Sequence, residues 1–418
     1  MPSKAAFKVG DSAAEVGILS KGKDRMRILY VAMKYDYGDP GRGFSFEHAT
    51  FYESLICMGH DVLYFDFMTL YSGLGQRAMN RRLWEVVRAE KPQLLFCVLF
   101  QDQLDKRTIR RISRETDAVT MNWFCDDHWR FDNFSRHWAP CFNWAITTAQ
   151  SALPKYARMG YQHVIKSQWA CNHHSYRKLD LPLRYDVTFV GQPHGDRRQV
   201  IDALRKAGIA VTVWGHGWES GRVSQEEMIR VFNQSRINLN LSNASSPLLG
   251  AEERRTPPIR KWVSHSLDAV PFGRKIKALA KSAIGTRRVV PSAPAGHAGR
   301  LAEARRYAEQ IKARNFEVPG CGGFMLTGEA ENLENYFQDG EEIVCFADTD
   351  DLIQKARYYL RHEDGRTAIA RAGYERTLRE HTYAHRFTEI FQRVGLPTPA
   401  LEAVLAGTVC PGQTEEVC

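Results

Sequence analysis

Short apolar runs that alternate with amphipathic stretches are the feature that most constrains the fold of this chain. "MRILYVAM", from Met26, has the pattern of a buried strand, and "FSFEHATFYESLICMGH" after it has the apolar spacing of a helix. The same strand pattern returns in "DVLYFDF", "QLLFCVLF", "DAVTMNWF", "WAITTAQ" and "HVIKSQWA". Strands that alternate with helices form a parallel sheet with right-handed crossovers. We therefore predict a Rossmann-like domain over residues 25–175.

The pattern restarts after residue 175. New strand patterns appear in "DVTFVG", "IAVTVWG", "INLNLS", "GFMLT" and "EEIVCFA". They predict a second Rossmann-like α/β domain over 176–382, interrupted by a Pro-, Ser- and Arg-rich insertion at about 245–310. Residues 1–24 are predicted to be a disordered tail and 396–418 a flexible one. Two such domains leave a cleft at the carboxyl ends of both sheets, where open α/β folds bind ligands.

Length and composition agree with two globular domains. The chain has 418 residues, of which 44% are hydrophobic and 25% charged. It has no apolar run of about eighteen residues and no apolar core of a signal peptide near its first residue. Nine cysteines without paired spacing favour reduced thiols and a cytoplasmic location. The net charge of +9 suits an anionic ligand or surface.

A glycine-rich turn follows the first predicted strand. Gly38, Gly41 and Gly43 let the backbone approach a ligand, and the helix after them favours an anion. The spacing G-x-x-G-x-G differs from the dinucleotide pattern G-x-G-x-x-G. Asp66 nevertheless ends the second strand where a ribose-binding acid would stand, so an NAD(P)-dependent oxidoreductase is an open alternative. A plain tight turn is the other.

The second domain has two comparable turns. Gly191 ends its first strand, and Arg197 or Arg198 opens the helix that follows, an arrangement that suits a diphosphate. Gly215 and Trp218 follow the next strand, so that the indole would either flank a nucleobase or cap the sheet. A solvated helix face is the alternative for one of the two arginines.

The segment "KARNFEVPGCGGFMLT" from Lys312 predicts an anion site. If it is extended, Lys312 and Arg314 point the same way. "PGCGG" then enters a strand with free backbone amides, and Glu317 accepts hydrogen bonds from hydroxyls. Cations for phosphate and a carboxylate for hydroxyls suit a sugar nucleotide, although a surface charge cluster before a structural turn is the alternative.

Polar residues also follow the fourth strand of the first domain. Asp126, Asp127 and His128 stand in "NWFCDDHWRFDNF", where a carboxylate or imidazole would act as general base or hold an acceptor. Cys125 beside His128 makes too few ligands for a metal site.

The predicted insertion is rich in positive charge. Such a segment could lie on an anionic bilayer, track a nucleic-acid backbone or form a solvated surface. A membrane-peripheral location is therefore an expectation beside the cytoplasmic one. The cations are Arg254, Arg255, Arg260, Lys261, Arg274, Lys275, Lys277 and Lys281.

The stretch from Ile311 to Arg386 resembles the C-terminal signature of CgeB-type, spore-maturation-like glycosyltransferases, relatives of group 1 (family 4) glycosyltransferases. The shared motifs are K-x-R-x-F-E, P-x-C-G-G-F and the closing "HTYAHR". The resemblance implies a GT-B fold, in which two Rossmann-like domains face a central cleft and a C-terminal helix (383–395) crosses back to the first domain. The second domain would hold the donor.

The resemblance also implies roles for individual residues. Lys312 and Arg314 would neutralise the donor diphosphate, and Glu317 would contact the donor sugar. Family 4 has two glutamates eight residues apart, but Met325 stands eight residues after Glu317. The ribose-binding acid is therefore open. The remaining donor-binding candidates in this region are Phe316, Cys321, Gly322, Gly323, Glu331 and Glu334.

The function that follows is glycosyl transfer from a nucleoside-diphosphate sugar, such as a UDP- or GDP-sugar. The resemblance implies retention of configuration, and the lack of a D-x-D motif fits a metal-independent reaction without a cofactor. The acceptor is open among a glycan, a lipid, a protein and a modified DNA base. A non-catalytic protein that binds sugar nucleotides or nucleic acid is a further alternative.

Overall fold

The computed structural model describes residues 24–242 and 309–407. The predicted N-terminal tail up to residue 23, the insertion between 245 and 308 and the end of the second tail lie outside this part. No helix among the described residues is both long and apolar enough to cross a membrane. Six described cysteines have free thiols, but Cys57 is disulfide-bonded, which contradicts the expectation of reduced thiols throughout.

The first sheet has six parallel strands in the order β2–β1–β3–β4–β5–β6. Both of its faces are covered by helices, which explains why a strand such as "RILYVA" is apolar along nearly its whole length. The strands are β1 (Arg27–Ala32), β2 (Asp61–Asp66), β3 (Leu94–Cys97), β4 (Val119–Phe124), β5 (Trp144–Thr147) and β6 (Val164–Lys166). The helices are α1 (Glu53–Cys57), α2 (Phe67–Glu90), α3 (Lys106–Glu115), α4 (Asp127–Arg130), α5 (Arg136–Trp138) and α6 (Leu153–Arg158).

The second sheet has five parallel strands in the order β11–β10–β9–β7–β8. The strands are β7 (Tyr185–Val190), β8 (Val211–Trp214), β9 (Ser235–Asn240), β10 (Met325–Gly328) and β11 (Val344–Phe346). The helices in this half of the chain are α7 (Arg197–Lys206), α8 (Gln225–Asn233), α9 (Arg314–Gly320), α10 (Thr349–Arg361), α11 (Glu363–Glu380), α12 (Tyr383–Val394) and α13 (Leu401–Ala406).

Helix α12 returns to the first domain after the second sheet is complete. Thr382 caps its first turn, and its apolar side packs Tyr383, Phe387 and Phe391 into one core cluster with Phe96 of β3. The two Rossmann-like domains and the crossing helix therefore have the predicted architecture.

The chain crosses between the domains twice, and the two crossings pair with each other. The Cys171 N–H donates to the carbonyl of His381 at 2.9 Å, and the Tyr383 N–H donates to the carbonyl of Cys171 at 3.1 Å. Arg386 is buried beside them and donates to the carbonyl of Gln168 at 3.3 Å. These bonds set the position of one domain relative to the other.

Candidate active site in the interdomain cleft

The carboxyl ends of the two sheets face a common cavity of about 810 Å³. The first domain contributes the loop after β1, and the second contributes the ends of β7 and β8, the start of α8 and one residue of α9. Four of the predicted glycines line it: Gly41, Gly43, Gly191 and Gly215. The structure thus brings all three predicted glycine turns to one site.

The loop after β1 is tied to the second domain. Asp36 accepts a hydrogen bond from Arg42 Nε at 2.9 Å and also pairs with Arg222, which lies just before α8. The backbone turns with positive φ at Gly43 (78°), a conformation that glycine adopts without strain. This loop therefore forms one wall of the cavity in a defined conformation.

Asp66 has a structural role. Its carboxylate accepts the backbone N–H of Met68 at 3.2 Å and of Thr69 at 3.4 Å, and the Thr69 hydroxyl at 2.5 Å. It is thus the N-cap of α2, a common use of aspartate at a helix start. The main support from the sequence for an NAD(P) site is consequently lost.

The turn at Gly215 packs tightly against that at Gly191. A Cβ at Gly215 would stand 2.2 Å from the Gly191 carbonyl oxygen, and that oxygen accepts a hydrogen bond from Trp218 Nε1 at 2.8 Å. Trp218 also packs against the core of the second domain. The indole therefore holds the turn in place, and the sheet-capping alternative is the one that the geometry supports.

The two candidate arginines at the start of α7 differ. Arg198 is exposed, stacks on Trp218 at 4.6 Å and donates to the carbonyl of Gly217. Arg197 is buried and donates to the carbonyls of Gln192 at 3.0 Å and Leu241 at 2.8 Å. Arg197 is thus a fixed cation at the carboxyl end of the second sheet.

Lys312 stands close to Arg197. Burial and the positive charge of Arg197 lower the pKa of Lys312 to about 7, although Asp126 of the first domain opposes the shift. The same two cations, with burial, lower the pKa of His194. Positive charge from the second domain is therefore concentrated opposite a carboxylate of the first, where an anionic ligand would relieve the repulsion.

The segment after Lys312 is not extended. Residues Arg314–Gly320 form helix α9, so the predicted extended conformation is wrong. Arg314 and Glu317 lie one turn apart and form an ion pair, as residues at this spacing on a helix do. The Arg314 side chain lines the cavity, but Glu317 is completely buried, and burial together with the Glu317 charge raises the pKa of Tyr176.

The "PGCGG" loop lies at the opposite edge of the sheet. Gly322 and Gly323 precede the first residue of β10, so they stand at the amino end of a parallel strand and line a separate cavity of about 280 Å³. The prediction that their amides face the cleft is wrong. Phe316 and Cys321 are buried in the core of this domain, so neither is exposed to a ligand.

Of the three polar residues after β4, two are engaged in structural contacts. Asp127 is buried and accepts the Tyr156 hydroxyl at 2.8 Å. His128 Nε2 lies 3.3 Å from a carboxylate oxygen of Glu331 in the second domain. Asp126 is left as the one of the three for which a role toward an acceptor is compatible with the geometry.

Glu331 bridges the domains. It accepts the N–H of Ser151 at 3.0 Å as well as contacting His128. Burial raises its pKa, but these hydrogen bonds outweigh burial, and the net shift is downward. Glu334 is exposed and lines a second cavity of about 570 Å³. Neither is placed among the residues that line the larger cavity.

Sequence reasoning missed Glu47. It stands between Ser45 and Ala49, which both line the large cavity, and it is half-buried. Burial and, less strongly, the nearby carboxylates Asp36 and Asp126 raise its pKa to about 7, against hydrogen bonds that lower it. A glutamate at the start of the helix that follows a glycine turn was the available signal.

Glu309 was missed as well. It stands eight residues before Glu317, the spacing that was sought only in the other direction. It lines the second cavity, and its carbonyl accepts the N–H of Glu331 at 3.4 Å. Across residues 24–242 and 309–407, the structure has no group of three His, Cys, Asp or Glu side chains placed to hold a metal ion.

Comparison with known proteins points to an enzyme class. Residues 197–262 and 248–392, together just under half of the chain, match the glycosyl transferase-like family. The chain carries a glycosyltransferase domain. The predicted enzyme class is thereby confirmed, and residues 314 to 331 discussed above all lie within the matched region. No curated protein matches the chain in sequence.

Solved structures agree in fold. HepE from Anabaena, crystallised with UDP and glucose, superposes with a TM-score of 0.51 at 9% identity, over 89% of this chain and all of that one. A glycosyltransferase from Rickettsia africae gives a TM-score of 0.51 at 9% identity over 89% of this chain and 99% of that one. The predicted GT-B fold class is confirmed.

The Arg314–Glu317 pair yields a stability prediction. Glu317→Gln leaves the Arg314 guanidinium without its counter-charge inside the domain, so we expect the free energy of unfolding to fall by about 2–3 kcal/mol. The double variant Arg314→Met/Glu317→Gln should recover much of that loss, because no lone charge remains. Urea unfolding followed by circular dichroism measures both.

The exposed Glu334→Gln serves as the matched control for this experiment and should unfold like the unaltered protein. If Glu317→Gln proves as stable as the unaltered protein yet fails to bind a nucleotide sugar, the structural role is contradicted and the donor contact predicted from the sequence is favoured.

Proposed function

We propose that this chain transfers a sugar from a nucleoside-diphosphate sugar to an acceptor hydroxyl without a metal ion, and with retention of configuration. The observation that carries the proposal is the pair of adjacent cations, Arg197 and Lys312, at the carboxyl end of the second sheet in a glycosyltransferase fold. UDP is the nucleotide we favour, because HepE of the same fold was solved with UDP and glucose.

The proposed chemistry begins at the anomeric bond. As the bond between the anomeric carbon and the diphosphate oxygen breaks, the leaving diphosphate takes the electron pair and gains negative charge. Arg197, Lys312 and Arg314 would stabilise this charge, with Lys312 in the protonated form that a bound diphosphate favours. Metal independence follows from such a set of fixed side-chain cations.

The first domain would supply the acceptor side. Glu47 and Asp126 are carboxylates near the carboxyl edge of the first sheet, and Asp126 is close enough to Lys312 to oppose the lowering of its pKa. The attacking hydroxyl oxygen would bond to the anomeric carbon on the face that the diphosphate leaves, which retains the configuration, and one of the two carboxylates would accept the hydroxyl proton. Glu47, whose pKa burial raises to about 7, is the one we favour. This replaces the earlier assignment of Asp127 and His128, which are held in structural contacts.

The donor-side carboxylates are reassigned in the same way. Glu309 and Glu317 are eight residues apart, as the two glutamates of family 4 are. Glu317 is buried in an ion pair, which leaves Glu309 as the member of the pair that would contact the donor. It lines the cavity of about 570 Å³ together with Glu331 and Glu334, and so joins them as a candidate for this role.

Nucleotide binding tests the proposal directly. With a chelator present, UDP should raise the melting temperature and uridine should not, because only UDP has the diphosphate that the cations bind. At a UDP concentration one hundred times the dissociation constant, binding raises the free energy of unfolding by about 2.7 kcal/mol. Thermal shift with UDP, GDP, ADP, uridine and NADH measures this, with release of free nucleotide from the matching sugar donor as the readout for transfer.

Each negative result of that screen has a meaning. If no nucleoside diphosphate stabilises the protein, the proposal is wrong. If only NADH stabilises the protein, the oxidoreductase alternative is favoured. If a nucleotide sugar binds but no free nucleotide is released with any acceptor, the alternative of a non-catalytic binding protein is favoured.

Because of Lys312, we expect the affinity of the protein for UDP to depend on pH. Its pKa of about 7 means that it is mostly neutral at pH 8, and a bound diphosphate would restore the charged form. We therefore expect uptake of roughly one proton on UDP binding at pH 8, and tighter binding as pH falls from 8 to 7. Calorimetry in buffers of different ionisation enthalpy measures the uptake. Lys312→Arg is charged at every pH of this range, so it should bind UDP without proton uptake. Equal proton uptake by the variant and the unaltered protein would contradict Lys312 as the titrating group.

Glu47 makes the rate depend on pH. As a base it must be ionised, so kcat at saturating donor, where the bound diphosphate keeps Lys312 charged, should rise with pH through about 7. Glu47→Gln should lose this rise and lower kcat about 100-fold while UDP binding is unchanged. The control is Glu53→Gln, because burial also raises the pKa of Glu53, but its carboxylate bonds Asn172 and Ser175 away from the cleft. A rise that persists in Glu47→Gln would assign the base elsewhere.

A further inference from the structure

Helices α2 and α3 form a strongly basic surface on the first domain. Together they have nine Lys and Arg residues and only three Glu residues. Seven of the arginines are exposed, and with Tyr71 and Leu74 they define what we call the α2–α3 face. The seven are Arg77, Arg81, Arg88, Arg107, Arg110, Arg111 and Arg114.

The positive charge of the α2–α3 face is only partly compensated. Arg81 lies 3.9 Å from Glu85, and Arg111 bonds Glu115 at 2.9 Å. Among the described residues, Arg77, Arg107 and Arg114 have no ion-pair partner. The face therefore carries a net positive charge that an extended anionic surface would complement.

The two helices leave a groove between them. It has a volume of about 420 Å³, and its lining includes Arg77, Arg81, Trp84 and Arg111, the last stacked on the indole at 3.8 Å, with Asp105 as its one carboxylate. Cations beside an amphipathic aromatic ring are typical of surfaces that meet lipid headgroups. The groove thus joins the charges of the two helices into one surface.

Two apolar side chains project at one end of this face. Tyr71 is 40% exposed and Leu74 is 53% exposed, both in the first part of α2, before its backbone leaves helical geometry at Gly75. Tyr71 and Gln101 line a shallow cavity of about 470 Å³ near the start of α3. Exposed aliphatic and aromatic groups next to a basic surface favour a lipid interface over a polyphosphate, which offers nothing to Leu74.

The location of this apolar pair relates it to the cleft. Helices α2 and α3 both begin at the carboxyl edge of the first sheet, the edge that faces the cavity. A surface that contacts Tyr71 and Leu74 would therefore lie beside the acceptor side of the first domain.

We propose that the α2–α3 face docks this protein on an anionic lipid bilayer, with Tyr71 and Leu74 inserted among the headgroups and the arginines on anionic lipid phosphates. This inference does not depend on the nucleotide or the sugar. It concerns a surface other than the basic insertion, which lies outside the described residues.

Vesicle sedimentation of the full-length protein tests the proposal. We expect binding to phosphatidylcholine vesicles that contain phosphatidylglycerol, little binding to phosphatidylcholine alone, and weaker binding at high salt. Arg77→Glu/Arg107→Glu should lower the partition coefficient at least about ten-fold. Tyr71→Ser/Leu74→Ser should also weaken binding while its salt dependence stays the same, because no charge is removed.

Lys206→Glu/Arg361→Glu is the matched control, since it reverses two exposed charges on the second domain, and it should bind as the unaltered protein does. Circular dichroism checks that every variant is folded. The proposal is overturned if Arg77→Glu/Arg107→Glu binds vesicles normally, if the control loses as much binding, or if duplex DNA binds where anionic vesicles do not. The last result would make the face a nucleic-acid surface.

Discussion

The pairing of the two interdomain crossings is the constraint on which the rest of this structure depends. Cys171 exchanges backbone hydrogen bonds with His381 and Tyr383, so the chain leaving the first domain is tied to the chain returning to it. Arg386 is buried at this junction and donates to backbone carbonyls of Gln168 and Glu380. A charged side chain bound to fixed carbonyls has few alternative positions. The junction thereby sets the carboxyl edges of the two sheets opposite each other.

The charge distribution across the cleft follows from that arrangement. Arg197 and Lys312 belong to the second domain, and Glu47 and Asp126 belong to the first. Burial, with a smaller contribution from the like charges nearby, lowers the pKa of Lys312 and raises that of Glu47. Shifted pKa values of this kind are typical of functional sites, where charged groups are placed to interact with a ligand and not to stabilise the free protein. A diphosphate and an acceptor hydroxyl are the ligands that would relieve both strains.

Part of the candidate site could be read from the sequence. Gly41, Gly43, Gly191 and Gly215 follow predicted strands, and the carboxyl ends of parallel strands meet at one edge, so their convergence on one cavity was predictable. The same rule applied to Gly322 would have placed it correctly, because this glycine precedes its strand. Strand β10 itself was predicted correctly, and the error was to place Gly322 at its carboxyl end.

Other parts of the site depended on contacts between residues far apart in the chain. Glu317 looks like a ligand in the sequence, but in the folded protein it is buried and its carboxylate is paired with Arg314. His128 is engaged by Glu331, some two hundred positions away. No local pattern reports such a partner, since the burial of a polar side chain depends on what packs over it.

The sequence by itself determined the two parallel sheets, the helices that cover them and the glycine turns at their edges, because apolar periodicity and turn chemistry act over a few neighbouring residues. Only the tertiary structure decided which charges face the cleft. Burial and Coulomb interactions act between elements that the crossing helix brings together, so which cations and carboxylates lie near the cleft is known only once the two domains are in contact.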